Sequence, residues 1–158
     1  MHQLHGKLLL IAYGNPGRLD DGLGPAVADA VQRIGLPSVT IESCYQLAVE
    51  HAEAAARHDV VIFADADASG PAPFRFDRIE PQTKASFSTH MMEPATVLGL
   101  ARDVFGALPE GYLLGVRGYE FDDFGEVISP QARENLTAAI RFLKATLLQP
   151  KATRCEVV

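Results

Sequence analysis

Runs of hydrophobic residues divide the chain into segments that alternate between strand-like and helix-like patterns. Residues 7–13 are almost continuously apolar, which is typical of a strand buried on both faces of a sheet. Apolar residues at helical spacing predict a helix over 25–34, with Pro25 at its first position. The alternating, β-branched stretch at 38–44 predicts a second strand, and the alanine-rich stretch at 47–58 predicts a second helix.

The same alternation continues through the second half of the chain. Residues 59–70 predict a third strand with acidic residues at its carboxyl end, and 73–80 alternate like a half-exposed edge strand. Helical spacing predicts a third helix over 93–106, which is followed by a strand over 112–120. A last helix follows Ser129, whose side chain suits the N-cap position. The apolar positions that define the third helix are Val97, Ala101, Val104, Phe105 and Leu108.

This order of elements predicts an α/β fold. Strands that alternate with helices favour a three-layer sandwich: a mostly parallel, five-stranded twisted sheet, helices on both faces, and one antiparallel edge strand. The length of 158 residues suits one catalytic domain over 1–149, and the patternless segment 150–158 is predicted to be a flexible tail. Folds of this class carry their chemistry beyond the carboxyl ends of the strands.

Composition narrows the range of functions. A net charge of −6 without a basic stripe disfavours nucleic acid as a partner. The sequence has no run of about eighteen apolar residues, so it predicts no membrane-spanning helix. Its start lacks the cleavage site of a secretory signal. Two cysteines, Cys44 and Cys155, do not make a disulfide framework and fit a reducing cytoplasm.

Polar side chains collect at the predicted strand ends. Because these ends meet at one edge of a parallel sheet, we expect several carboxylates and an imidazole to converge on one crevice. Such a ligand set suits a divalent transition metal such as nickel or zinc, with coordination positions left open for a substrate. The residues are Asp20 and Asp21 after the first strand, Asp65 and Asp67 at the end of the third, and His90 before the third helix.

Each of these residues also suits an ordinary structural role. The acidic pair after the first strand also fits a turn and a helix start, where negative charge is favourable. Asp67 precedes Ser69 and Gly70 in a typical turn sequence, and His90 also fits a packed position beside two methionines. The residues alone leave both interpretations open.

Familiar catalytic and phosphate-binding motifs are absent from the sequence. The glycine-rich turn lacks the lysine of a P-loop and the second glycine of a dinucleotide fingerprint, and its two carboxylates would repel a phosphate. The sequence also has no G-x-S-x-G elbow and no H-E-x-x-H pair. The turn therefore presents carboxylates instead of a cradle for anions.

Three motifs in this order resemble those of the hydrogenase maturation proteases, the endopeptidases that finish the large subunit of nickel–iron hydrogenases. They are "GNPGRLDDGLGP" at 14–25, "FADAD" at 63–67 and "STHMMEP" at 88–94, within a match that runs from about Lys7 to Leu147. The resemblance implies that the catalytic metal ligands are Asp21, Asp65 and His90.

The segment after the second strand also resembles the family. "YQLAVEHA" at 45–52 implies that Gln46 lines the substrate cleft, and we expect Asn15 of the first motif to line it as well. Relatives often carry histidine where this chain has Tyr45. Residues 115–130 follow the family only loosely, which leaves the choice of partner open there.

The resemblance implies a cytoplasmic endopeptidase that removes a short C-terminal extension from a hydrogenase large-subunit precursor. The cut follows nickel insertion, and the nickel belongs to the precursor, so the expected partner is the nickel-loaded precursor and neither nucleic acid nor a membrane. The same ligands would serve a nickel-dependent checkpoint or chaperone that binds the precursor without cutting it. A small-molecule amidase on a similar scaffold is a third hypothesis.

Overall fold

The computed structural model of the protein describes residues 4–83 and 92–148. The described strands are β1 (Leu8–Tyr13), β2 (Val39–Cys44), β3 (Val60–Asp67), β4 (Phe74–Ile79) and β5 (Glu110–Arg117). The described helices are α1 (Leu23–Ile34), α2 (Glu50–Ala56), α3 (Pro94–Phe105) and α4 (Pro130–Leu147). The predicted tail at 150–158, with Cys155, lies outside the described residues, and so does His90. None of the described helices has the length and hydrophobicity needed to span a membrane.

The strands form one five-stranded sheet in the order β2-β1-β3-β5-β4. All neighbours are parallel except β4, which pairs antiparallel with β5 at the edge, as its half-exposed pattern predicts. In the register, Ala12 of β1 lies beside Ala64 of β3, and Tyr13 lies beside Cys44 of β2. β1 and β2 therefore end at the same level and β3 continues to Asp67, so side chains at these carboxyl ends share one edge of the sheet.

Helices cover both faces of the sheet. On one face, Val27 of α1 and Leu143 of α4 pack with the even-numbered side chains of β1, such as Leu10. On the other face, Ala55 of α2 and Leu98 of α3 pack with the odd-numbered ones. This alternation explains why β1 is apolar throughout, since both of its faces are buried. The predicted three-layer α/β class is confirmed.

Two helix starts follow the expected chemistry to different degrees. Ser129 caps α4 as predicted: its Oγ accepts a hydrogen bond from the backbone N–H of Ala132, and Pro130 is the first helical residue. The prediction that Pro25 begins α1 is wrong, because the helix starts at Leu23. Proline is tolerated at this third position because the N–H groups of the first turn have no partner within the helix.

The apolar face predicted for the third helix is only half correct. Val97 and Ala101 are buried, but Val104 and Phe105 are 64% and 49% exposed, and Leu108 is 73% exposed beyond the helix. Val104 and Phe105 lie in the last turn of α3, Leu108 lies beyond its left-handed C-cap Gly106, and no core cluster of the described residues includes any of the three. Periodicity marks the face of a helix but not how far along it the core extends.

Candidate functional site

A cleft of about 630 Å³ lies at the carboxyl ends of β1, β2 and β3, on the side of the sheet covered by α2 and α3. This is the edge of the sheet where the sequence predicts the chemistry. Its described lining residues are Tyr13, Gly14, Asn15, Arg18, Asp21, Tyr45, Gln46, Leu47, Asp65, Met92, Glu93 and Pro94.

The glycine-rich motif forms a tight turn that aims its two carboxylates in different directions. A 3-10 turn at Leu19–Gly22 leads directly into α1. Leu19 has a φ of 52°, in the left-handed region that residues with side chains rarely adopt, and its N–H donates to the carbonyl of Gly125 at 2.9 Å. Gly14 also has a positive φ, and a Cβ there would collide with the carbonyl oxygen of Asp21. Because Gly14 has no side chain, its backbone can lie against the backbone of Asp21.

Asp20, the first carboxylate of the pair, is fully buried and holds two distant segments together. Its Oδ2 accepts from the backbone N–H of Tyr119 (2.8 Å), from that of Glu120 (3.0 Å) and from the hydroxyl of Ser129 (2.7 Å). Its Oδ1 accepts from the backbone N–H of Ser129 at 2.7 Å. Asp20 therefore anchors the motif to the loop before α4 and does not line the cleft.

The hydrogen bonds of Asp20 determine its ionisation. Burial by itself would raise the pKa of this carboxyl, because a charge is costly away from water. The four donors, two of them on Ser129, outweigh that cost and lower the pKa below its ordinary value. Asp20 is thus a charged structural residue whose hydrogen-bonding capacity is used inside the protein.

Asp21, the second carboxylate, faces the cleft. Its Oδ2 accepts one hydrogen bond, from the backbone N–H of Asn15 at 2.7 Å. Its Oδ1 accepts none from the described part of the chain. The side chain of Asn15 in turn accepts from the N–H of Gly17 at 2.9 Å, which stiffens the loop. One oxygen of Asp21 is therefore oriented by the protein, and the other is available to a ligand.

Asp65 faces the same cleft from the end of β3. Its Oδ1 accepts from the N–H of Ala66 at 2.8 Å, and its carboxyl hydrogen-bonds with the side chain of Tyr13. Burial raises the pKa of Asp65 to about 7, and the negative charges of Asp21 and Asp67 act in the same direction. The pKa of Tyr13 is also raised, first by burial and then by the charge of Asp65. Two carboxylates of like charge, which repel one another, therefore share this cleft.

Asp67 has the structural role that its neighbours suggested. Its Oδ1 accepts from the N–H groups of Ser69 (3.1 Å) and Gly70 (2.8 Å), which closes the predicted turn. Its Oδ2 lies 3.0 Å from the Nε of Arg75 on β4. Asp67 is not among the residues that line the cleft.

The structure brings together most, but not all, of the expected site. Asn15, Asp21, Gln46 and Asp65 line the cleft, whereas His90 lies outside the described residues, so its part in the site stays a prediction. Within residues 4–83 and 92–148, no group of three or more potential metal-binding side chains converges. The two carboxylates thus form the described part of the predicted ligand set.

Sequence reasoning missed three charged or polar residues that line the cleft. Tyr13 ends the first predicted strand, and Glu93 ends the loop before α3. Arg18 lies inside the first motif, and its guanidinium donates to the carbonyl of Phe121 at 3.3 Å and lies 6.0 Å from the ring centre of Phe124. The rule that drew attention to Asp65 applies equally to Tyr13, since both lie near the carboxyl end of a central parallel strand.

Comparison with known proteins gives consistent results in sequence and in structure. No protein-family model matches the chain. A curated relative, the hydrogenase expression/formation protein HupD of Thiocapsa roseopersicina, is 29% identical over 152 residues, which cover 90% of this chain and 68% of the relative.

Solved structures share the fold across nearly the whole chain. The hydrogenase maturating endopeptidase HybD from E. coli has a TM-score of 0.73 at 24% identity, covering 89% of this chain and 91% of that one. The [NiFe] hydrogenase maturation protease HycI from Thermococcus kodakarensis has a TM-score of 0.71 at 22% identity, covering 90% and 93%. At these sequence identities, the matches establish that this chain and the two solved structures share a fold.

Proposed function

We propose that the chain is a member of the hydrogenase maturation protease family and that it is the endopeptidase that removes the C-terminal extension of a nickel–iron hydrogenase large-subunit precursor after nickel insertion. Three ordered motifs, a 29% identical relative and a shared fold support this proposal together. The observation that carries it is the pair of carboxylates, Asp21 and Asp65, that face one cleft from two neighbouring strand ends.

The nickel in this proposal is part of the substrate. Two carboxylates, with His90 as the third ligand, offer oxygen and nitrogen donors of the kind that nickel accepts. Such a set leaves coordination positions free for groups that the precursor itself supplies. Nickel already held by the precursor would complete its shell here, which couples recognition of the precursor to its metal loading.

The residues of the cleft have distinct tasks in this mechanism. The backbone of Asn15 orients Asp21 through Oδ2, which leaves Oδ1 free to reach the metal. Tyr13 orients the carboxyl of Asp65 from the buried side of the cleft. Nickel, when bound, supplies a Lewis acid that polarises the scissile carbonyl or activates a water molecule. Gln46 and Glu93 line the cleft where the polypeptide would lie.

Cleavage of the precursor tests the proposal directly. The purified protein is mixed with a candidate large-subunit precursor in nickel-loaded and nickel-free forms, and mass spectrometry identifies the shortened product. We expect shortening of the loaded form alone. Asp21→Asn, Asp65→Asn and His90→Ala should each prevent it, while Asp29→Asn, on the exposed face of α1, should not.

The other outcomes identify the alternatives. Binding of the loaded precursor without cleavage would replace the protease with a checkpoint protein. Hydrolysis of small amides without a protein partner would favour an amidase. Full activity of all three ligand variants would contradict the assignment of the ligands but not of the protease. The cytoplasmic location implied by the resemblance stays a prediction, which fractionation of cells that produce the protein would test.

A further inference from the structure

A second pocket of about 250 Å³, here called the side pocket, adjoins the cleft. Its lining residues are Gly14, Pro16, Pro25, Ser43, Cys44 and Tyr45. Gly14 and Tyr45 also line the cleft, so the two spaces meet above the ends of β1 and β2. The side chain of Tyr45 is 72% exposed at this junction. A polypeptide lying over the junction would reach both spaces.

The two spaces are bounded by helices from different faces of the sheet. Pro25 belongs to α1, which packs on the face that also holds α4, and it lines only the side pocket. Pro94 begins α3 on the other face, and it lines only the cleft. In an extended peptide, successive side chains point in opposite directions. A segment crossing the junction would therefore direct one side chain into the cleft and the next into the side pocket.

The chemistry of the two spaces differs. The cleft contains the carboxylates of Asp21 and Asp65 and the guanidinium of Arg18. The side pocket has no carboxylate, guanidinium, ammonium or imidazole among its described lining residues. Burial and the nearby Glu42 raise the pKa of the Cys44 thiol, which keeps it neutral. A charged side chain would lose hydration in the side pocket without gaining a partner of opposite charge, whereas an apolar one would gain.

The size of the side pocket limits its occupant to one side chain. A cavity of roughly 150 Å³ can hold a molecule the size of benzene. The 250 Å³ of the side pocket therefore accommodates one leucine-sized or phenylalanine-sized group. We propose that the side pocket is a specificity subsite that binds one apolar side chain of the precursor beside the bond that is cut. This inference rests on the proposed function and adds a substrate preference to it.

A variant that fills the pocket tests the inference. Ser43 is exposed near the end of β2, so Ser43→Phe can place a ring in the pocket without disturbing the core. Thr40→Phe, on the same strand but outside both spaces, is the matched control. After the cut has been mapped, the residues flanking it in the nickel-loaded precursor are changed in turn to glycine, leucine and aspartate. The value of kcat/KM is then measured for each pair of enzyme and precursor.

We expect the wild-type enzyme to prefer leucine over glycine at one flanking position by about 10- to 100-fold and to reject aspartate there. Ser43→Phe should reduce this preference to less than about threefold, and Thr40→Phe should leave it unchanged. Pro25→Ala enlarges the pocket at a helical position where alanine is favourable, and it should shift the preference towards larger side chains.

The outcomes separate the subsite from the protease itself. If the wild-type enzyme cuts the precursor but Ser43→Phe and Pro25→Ala keep its preferences, the side pocket is not the subsite and the protease assignment stands. If the wild-type enzyme cuts no loaded precursor, the proposed function fails and the subsite fails with it. Circular dichroism and Tm of each variant show whether a loss of activity reflects loss of the fold.

Discussion

Two carboxylate environments in this protein use the same functional group in opposite ways. Asp20 is buried against the loop before α4, where four hydrogen bonds lower its pKa. Asp65 lies at the cleft, where burial and neighbouring negative charges raise its pKa to about 7. The protein itself stabilises the ionised form of Asp20, whereas the ionised form of Asp65 is unfavourable until a cation or a proton binds to it.

This difference separates structural from functional residues more clearly than burial does. Both side chains are withdrawn from water, but only Asp20 has its hydrogen-bonding capacity filled by described residues. Asp21, next to it in sequence, keeps Oδ1 free of hydrogen bonds from the described part of the chain. A carboxylate whose internal donors are few has capacity left for a ligand, and both Asp21 and Asp65 in this cleft accept fewer hydrogen bonds than Asp20 does.

The largest expected effect is on catalysis. Asp21→Asn and Asp65→Asn should each reduce the rate of precursor processing by about 100-fold or more, because metal-ion catalysis contributes several kcal/mol. The fold should remain, since the amide oxygen of asparagine can accept the hydrogen bonds that each carboxylate accepts. A gel assay of cleavage, with Asp29→Asn as control, measures this. Retention of more than about half of the rate in either variant would place that carboxylate outside the reaction.

The second effect is on stability. Asp20→Ala should lower the free energy of unfolding by about 3 kcal/mol, because it leaves the backbone donors of Tyr119 and Glu120 and those of the buried Ser129 without their acceptor. Urea unfolding measures this, and Asp29→Ala should change the free energy by no more than about 0.5 kcal/mol. A loss below about 1 kcal/mol for Asp20→Ala would show that water replaces the carboxylate and that the anchor is weak.

A smaller effect appears when stability is followed against pH for Asp65. Because the pKa of Asp65 is raised in the folded protein, ionising it costs more there than in the unfolded chain. The wild-type protein therefore loses stability as pH rises from about 4 through 7, and Asp65→Asn avoids this loss. At about pH 8 without metal, the variant should be more stable by at least about 2 kcal/mol, and near pH 4 the two should agree.

Thermal unfolding across this pH range checks the prediction, with Asp77→Asn on β4 as an exposed control. Equal stability of Asp65→Asn and wild type at every pH would mean that the cleft solvates the Asp65 carboxylate well. In that case the contrast between Asp20 and Asp65 would rest on their hydrogen bonds alone.

The smallest effect concerns acid pH and has the opposite sign. Because the pKa of Asp20 is lowered in the folded protein, its contribution to stability is present above about pH 4 and is lost as pH falls through the folded pKa. Asp20→Asn has no proton to gain, so it should lose less stability than wild type as the pH falls below about 4. If the wild-type protein and Asp20→Asn lose stability equally as the pH falls, groups other than Asp20 cause the acid sensitivity.

Much of this architecture could be predicted from local patterns. The apolar run of β1 and the acidic end of β3 were sufficient to predict parallel strands and the edge of the sheet that carries the cleft. The family motifs also chose Asp21 and Asp65 over Asp20 and Asp67, and both chosen residues line the cleft. Element ends were less predictable, because the 3-10 turn before α1 and the exposed end of α3 depend on contacts that periodicity does not describe.

The sequence by itself determined the order of the elements, the sheet edge where chemistry collects and the residue types available there, because burial periodicity and the strand-end rule are local or topological. Only the tertiary structure decided how each carboxylate behaves. Asp20 receives its donors from Tyr119, Glu120 and Ser129, about a hundred residues further along the chain. Asp65 meets Tyr13 only because β1 and β3 are neighbours in the sheet. Solvation and hydrogen bonding are properties of the assembled site, so two identical side chains can acquire opposite roles.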